Sequence, residues 1–405
     1  MKNQFPYVPY GKAVWGDDEI NAIVSVLKKT TQMGESVNTF ENLVSALFSK
    51  KHGIMVNSGS SANYLAIEVL HLPEGSEVIT PALTFSTTVA PLVRNKLIPA
   101  FIDVEAGTYN IDANQIESMI NNNTRAMMVP NLLGNLSDWP KLNALAKKYN
   151  LITIEDSCDT LGATINNIST GAYSDISTTS FYGSHIITCA GNGGMLCVNS
   201  DELSNRVKLL RSWGRSSSLY AESENIENRF NIELEGIPYD AKFVFEALGY
   251  NLEPSEIGAA FGLEQLKKLK KNMETRQYYF NQHLNYFKQY ENWFTLPRQL
   301  PASETCWLAF PLTLNDNCPF QRRDLQIFLE NRNIQTRTIF TGNILRQPGF
   351  QNIPHVKSKA GYPNADKVMR GGILIGCHHG MNDIMLHHIH DSFREFLNTV
   401  TVAKI

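Results

Sequence analysis

The chain has no run of 18 apolar residues, and its opening stretch, MKNQFPYVPYGK, lacks the apolar core of a signal peptide. A membrane span and a secretory route are therefore not expected, and the cytoplasm is the default compartment. The six cysteines (Cys158, Cys189, Cys197, Cys306, Cys318, Cys377) are scattered without a CxxC pair. That spacing argues for reduced thiols and against a disulfide frame or a zinc site, so no metal is expected. Charge is sparse as well: 19% of residues are charged and the formal net charge is −3, which leaves no field for general nucleic-acid binding. The one basic cluster, Lys267-Lys268-Leu269-Lys270-Lys271, falls in a helical pattern and reads as its solvated face. No heptad series, internal repeat or low-complexity segment occurs. Two further gaps are local. No lysine occurs from Tyr149 to Val207, and no cysteine between Cys197 and Cys306.

What is present is enough for a large core: 405 residues, 43% of them apolar. From about residue 50 to 210, short β-rich runs alternate with helix-like stretches. The runs are GIMVN (53–57), EVIT (77–80), IPAFID (98–103), AMMVP (126–130), LITIE (151–155) and STTSF (177–181). Helix-like stretches are expected at 60–70, 86–94, 114–120 and 140–149. Strands this apolar are buried on both faces, and the alternation predicts a mostly parallel sheet sandwiched by helices. After residue 240 the pattern changes. One long helix is expected over 255–290, then a smaller α/β region with strands at 293–296, 307–314 and 334–340. Helices near 322–331 and 383–397 complete it. The expected fold is α/β, with a large domain over 1–250 and a smaller C-terminal α/β domain over 251–405. Residues 216–240 read as a surface loop.

In parallel sheets ligands bind at the carboxyl ends of the strands. The first such end is Asn57-Ser58-Gly59-Ser60-Ser61-Ala62, where small residues enter a helix. A helix N-terminus presents free N–H groups and partial positive charge to a phosphate, though a serine there is equally a simple cap. Phe85, after the next strand, could stack on a planar ligand or could be a core aromatic. Glu155-Asp156-Ser157-Cys158-Asp159 ends a central strand. Asp156 there could pair with a protonated pyridine nitrogen, or could cap a helix. Ser180, Phe181 and His185 follow the last strand of the series, before a glycine-rich turn at Gly191, Gly193 and Gly194. Taken alone, His185 is more readily structural than catalytic.

These pieces stand in the order and spacing of the pyridoxal-phosphate enzymes of the sugar-nucleotide aminotransferase family, and the chain resembles them almost throughout. The motifs are NSGSSANYLA (57–66), Glu155 to Gly162, TTSFYGSH (178–185), LRSWGR (210–215), ALGYNLEPSEIGAAFGLEQL (247–266) and RTIFTGNILRQPGF (337–350). Within the family the likeness is strongest to 3-dehydrases that make 3,6-dideoxysugars from nucleotide-linked 4-keto-6-deoxyhexoses. In these, histidine replaces the Schiff-base lysine. The missing lysine supports that substitution independently, and His185 falls at the lysine's position counted from Ser180-Phe181.

The resemblance implies the aspartate-aminotransferase type of fold and a pyridoxal or pyridoxamine phosphate cofactor. Gly59, Ser60 and Ser180 would hold its phosphate, Phe85 would cover its ring, and Asp156 would pair with its nitrogen, with Asp159 beside it. Asn251 would reach the phosphate from the other subunit of a homodimer, so that the active sites are shared. His185 would be the base. The reaction implied is loss of the C3 hydroxyl, in deoxysugar synthesis for a glycan such as a lipopolysaccharide O-antigen. Glutamate would regenerate the amine form of the cofactor, and a separate reductase is the other route. An ordinary sugar aminotransferase and a non-catalytic nucleotide-sugar binder are the competing functions. Two departures bear on this. Relatives with an iron–sulfur cluster carry cysteines after Trp213-Gly214-Arg215, where this chain has SSSLYAESENIENRF, so no cluster is expected. Relatives also have Gly-Glu-Gly-Gly after the lysine or histidine, where this chain has Ala190-Gly191-Asn192-Gly193-Gly194. For the substrate, Arg215, Arg337 and Arg346 could each grip a diphosphate or form a surface ion pair. His378 and His379 are candidates near the sugar.

Overall fold

The computed structural model describes residues 5–220 and 225–402. Seven strands form its main sheet: β1 (His52–Val56), β2 (Glu77–Pro81), β3 (Ile98–Ile102), β4 (Thr124–Pro130), β5 (Ile152–Asp156), β6 (Ile176–Ser180) and β7 (Gly194–Val198). Their order is β1-β7-β6-β5-β4-β2-β3. The pairs from β6 to β3 are parallel, while β7 runs antiparallel to both neighbours. Successive residues of a strand point to opposite faces, and here both faces are covered. Val78 and Met128 enter one apolar cluster, while Ile79, Met127 and Val129 enter another. This is why the strands read as unbroken apolar runs. Helices Gly59–Glu68, Ser86–Arg94 and Trp139–Tyr149 lie between strands as expected. The helix expected at 114–120 is only a 3₁₀ turn, Ile116–Met119. The Asp112 carboxylate accepts the Asn114 N–H at 3.0 Å, and such side-chain bonds compete with helix formation.

The long helix expected over 255–290 is broken. Glu256–Lys267 and Leu269–Phe287 are separate helices, followed by a 3₁₀ turn over Lys288–Tyr290. At the break, Lys268 turns inward and its ammonium meets both oxygens of the buried Glu19 carboxylate at 2.7 and 2.8 Å. The basic cluster is thus not wholly a solvated face. The first helix packs on Asp17–Leu27 and Glu35–Leu47. The second carries Tyr279, Phe280 and Phe287 into the core beneath a small antiparallel sheet. That sheet has Phe310–Leu314 between Phe294–Thr295 and Gly372–Ile375. Helices Arg322–Asn331 and Asp383–Val402 flank it. Residues 334–340 make isolated bridges rather than the expected strand: Val8 pairs with Ile334, and Arg337 with Leu374. Thr336 is diverted to the Glu330 carboxylate, which accepts its N–H at 2.6 Å. Of the surface loop expected over 216–240, residues 221–224 lie outside the described residues, and the rest includes a hairpin of Ile232–Leu234 with Ile237–Tyr239, turned by Glu235 and Gly236 at positive φ. Among the described residues, no helix is long and apolar enough to cross a membrane.

Candidate active site

Because β1, β5 and β6 run the same way and β7 starts where β6 ends, four segment ends meet at one edge of the sheet. A cavity of ≈ 390 Å³ opens there. Gly59, Ser60 and Ser180 line one corner, Asp156, Asp159 and His185 its floor, and Phe85 its rim. The sequence therefore names seven residues that the fold brings together.

The first corner is a helix N-terminus. Ser58 caps helix Gly59–Glu68, its hydroxyl accepting the Ser61 N–H at 3.1 Å. The N–H groups at such an end have no partner within the helix and can receive an anion. Side chains are excluded from the approach. A Cβ on Gly59 would lie 2.6 Å from the Ser180 Cβ, and one on Gly194 would lie 2.3 Å from the Ser58 carbonyl. The corner therefore fits a phosphate held by backbone and hydroxyl groups.

Asp156 ends β5 and is buried. One carboxylate oxygen accepts the Asn63 amide and the Thr88 hydroxyl, each at 2.8 Å, and the other accepts the Cys158 N–H at 3.3 Å. Thr178 in turn orients Asn63 through a 2.6 Å bond. All these donors are neutral. A buried carboxylate so arranged, facing a cavity, fits a cationic ring nitrogen. Phe85 and Phe340 meet edge to face at the rim, their centroids 6.0 Å apart.

His185 sits in a turn closed by its N–H on the Tyr182 carbonyl at 3.0 Å. Its Nδ1 lies 3.3 Å from the Ser180 carbonyl, which can only accept, so Nδ1 carries the proton and Nε2 the lone pair. Nε2 is 3.9 Å from Oδ1 of Asp159. Burial pushes the imidazole down to about 4, against the pull of the Ser180 carbonyl and with the help of Arg276. His185 is therefore a free base at neutral pH. Burial pushes the Asp159 carboxyl up to about 7, opposed by the Leu133 N–H and aided by the charge of Asp156. Beside them, Ala190 and Gly191 have positive φ, and Asn192 reaches the cavity in the loop where relatives have an acid.

The other candidates lie elsewhere. Asn251 is exposed, bridged through its backbone to Ser212, and does not line this cavity. Arg215 stacks on Trp213 at 4.2 Å. Arg346 forms an exposed two-bond pair with Asp366. Arg337 lies over the Tyr10 ring in a cleft that shares Phe85 and Phe340 with the cavity. His379 is turned inward and accepts from Nε of Arg276 at 3.2 Å, and His378 meets the Pro9 carbonyl. Asn63, Thr88 and Phe340 were missed from the sequence. Asn63 carried a signal, because it lies four residues after Gly59 on the same helix face.

Comparison with known proteins finds the chain similar to enzymes of nucleotide sugars. Residues 14–394 match the DegT/DnrJ/EryC1/StrS aminotransferase family. The chain is 35% identical to dTDP-4-dehydro-2,6-dideoxy-D-glucose 3-dehydratase of Saccharopolyspora spinosa, over 97% of this chain and 87% of that protein. It is 31% identical to GDP-4-keto-6-deoxy-D-mannose 3-dehydratase of Yersinia pseudotuberculosis, over 91% and 94% of the two chains. A solved structure of GDP-4-keto-6-deoxymannose-3-dehydratase with a trapped PLP-glutamate geminal diamine superposes with a TM-score of 0.86. It is 28% identical and covers 95% of this chain and 99% of that one.

Proposed function

The chain belongs to the DegT/DnrJ/EryC1/StrS aminotransferase family, and from that premise we propose that it is a pyridoxal- or pyridoxamine-phosphate-dependent 3-dehydratase of a nucleotide-linked 4-keto-6-deoxyhexose. The observation that carries this is His185: a histidine held as free base at the cavity, in a region that has no lysine from Tyr149 to Val207. Gly59, Ser60 and Ser180 would hold the cofactor phosphate, Phe85 would cover its ring, and Asp156 would meet its nitrogen. Bound there, the cofactor supplies the electron sink that loosens the bond to the C3 hydroxyl. Asp156 contributes a negative charge fixed by Asn63 and Thr88. His185 takes up a proton at Nε2 while its Nδ1–H stays on Ser180. With no lysine lining the cavity, these residues retain the cofactor without a covalent bond, so it can exchange.

The same reading has glutamate restore the amine form, supported by the relative that holds a PLP-glutamate adduct, rather than a separate reductase. It also assigns residues 1–250 to a cofactor unit and 251–405 to a smaller unit. Asn251 would act from the second subunit of a cytoplasmic homodimer, which agrees with its exposure outside its own chain's cavity.

The test is product mass. CDP-, GDP- and dTDP-linked 4-keto-6-deoxyhexoses are supplied with pyridoxal phosphate and glutamate. One of them should give a sugar lighter by one oxygen, with 2-oxoglutarate and ammonia released. His185→Asn should lose this activity yet still bind the cofactor, and His185→Lys should attach it covalently after borohydride reduction. A stable 4-amino sugar as the wild-type product would replace this reading by aminotransfer.

A further inference from the structure

Arg276 is 0% exposed, deep in helix Leu269–Phe287. Burying a guanidinium is costly unless its donors are matched. Here they are matched by carbonyls rather than a carboxylate. Nη1 donates to Trp307 O at 3.3 Å, Leu308 O at 3.0 Å and Cys377 O at 3.2 Å. Nε donates to His379 Nδ1 at 3.2 Å, and Nη2 donates to the backbone carbonyl of His185 itself at 3.2 Å. One rigid fork thus joins the His185 turn to two segments of the small sheet's surroundings. A purely structural cation would be expected to meet a carboxylate, and this one spends a donor on the residue next to the chemistry.

We infer that Arg276 is a positioning residue for His185, a buried clamp that fixes the turn so that Nε2 faces the cavity. The turn lies between β6 and β7, its own ties at His185 are both local, the N–H to Tyr182 O and Nδ1 to Ser180 O, and the glycine-rich loop beside it has positive φ at Gly191 and Gly193. The ionisable groups around the imidazole are Asp159 from the segment after β5, Tyr182 from the same turn and Arg276 from the helix. Tyr10 stands within electrostatic reach of all three. Arg276 is the fixed positive charge among them and opposes protonation of His185.

The inference rests on His185 being the base, and its test has an arm independent of turnover. Ring-labelled histidine is titrated by NMR in wild type, Arg276→Met and Arg276→Lys, with His185→Asn assigning the signal. Arg276→Met removes the lesser cause and leaves burial, the larger one, in place, so the His185 midpoint should rise above about 4 yet stay below the ordinary 6.5. Arg276→Lys keeps a charge without the fork and should leave the midpoint low. In both folded variants kcat should fall about 10²-fold with KM nearly unchanged, the signature of a misplaced base. Folded variants that match wild type in both midpoint and kcat overturn the inference, as does failure of both variants to fold, which makes Arg276 a core residue only. If wild type turns over no nucleotide sugar, the proposed function fails while the Arg276→Met midpoint still reports whether Arg276 stands against His185.

Discussion

At the scale of single residues, His185 and Asp159 are shifted in opposite directions by the same cause, removal from water, because one is charged by gaining a proton and the other by losing it. Both are therefore neutral between about 4 and about 7. Their contributions to stability run opposite ways. A carboxyl raised from 3.8 to about 7 binds its proton more tightly in the folded chain. The stabilisation it gives is complete below the unfolded value and is lost as pH rises to about 7. Asp159→Asn should therefore be at least as stable as wild type at pH 5, and its advantage should grow by on the order of 2–3 kcal/mol by pH 8. Melting curves at the two pH values check this, and a variant less stable at both would contradict the sign. Asp156 differs from its neighbour in having three neutral donors, two of them at 2.8 Å.

At the scale of elements, the site depends on β7 lying against the N-terminus of helix Gly59–Glu68. The Cβ that Gly194→Ala adds would lie 2.3 Å from Ser58 C and O and 2.5 Å from Gly59 N, all backbone atoms that cannot swing away. The expected cost is about 1–3 kcal/mol of stability, together with a weaker grip on pyridoxal phosphate. Calorimetry and a cofactor titration measure the two. The same junction explains what was legible in the sequence. Strands covered on both faces are written as apolar runs, and Gly59, Asp156 and His185 stand just after such runs, so their place could be found. Asn63 and Thr88 reach Asp156 from 93 and 68 residues away, and no local pattern records such a pairing. The break at Lys268 was hidden for the same reason. Helical periodicity continues through it, and the inward turn depends on Glu19, on a distant helix. Arg276 looks like any polar residue of an amphipathic helix until the carbonyls around it are known.

At the scale of the whole molecule, five of the ten histidines are held below 6.5 by burial: His185 and His390 to about 4, and His283, His378 and His379 to about 3. The unfolded chain would protonate each near 6.5, so the stability that depends on their staying neutral is complete above that pH. It is lost as pH falls toward 4 and 3. Each costs up to about 1.4 kcal/mol per pH unit crossed, and the five together outweigh the opposing carboxyls Asp159 and Asp103, which burial raises. The melting temperature should therefore fall steadily from pH 7 to pH 4, and a flat profile over that range would count against the buried, neutral histidines. The order of the strands has a consequence in time. β1 stands at the sheet's end with β7 as its one strand neighbour, and Val56 is paired with Gly194. A chain emerging from the ribosome completes β2 to β6 before that neighbour exists, and such distant pairings form slowly. The nascent protein thus has most of its parallel layer before it has a finished anion corner, and capture of the cofactor is a late event in its synthesis.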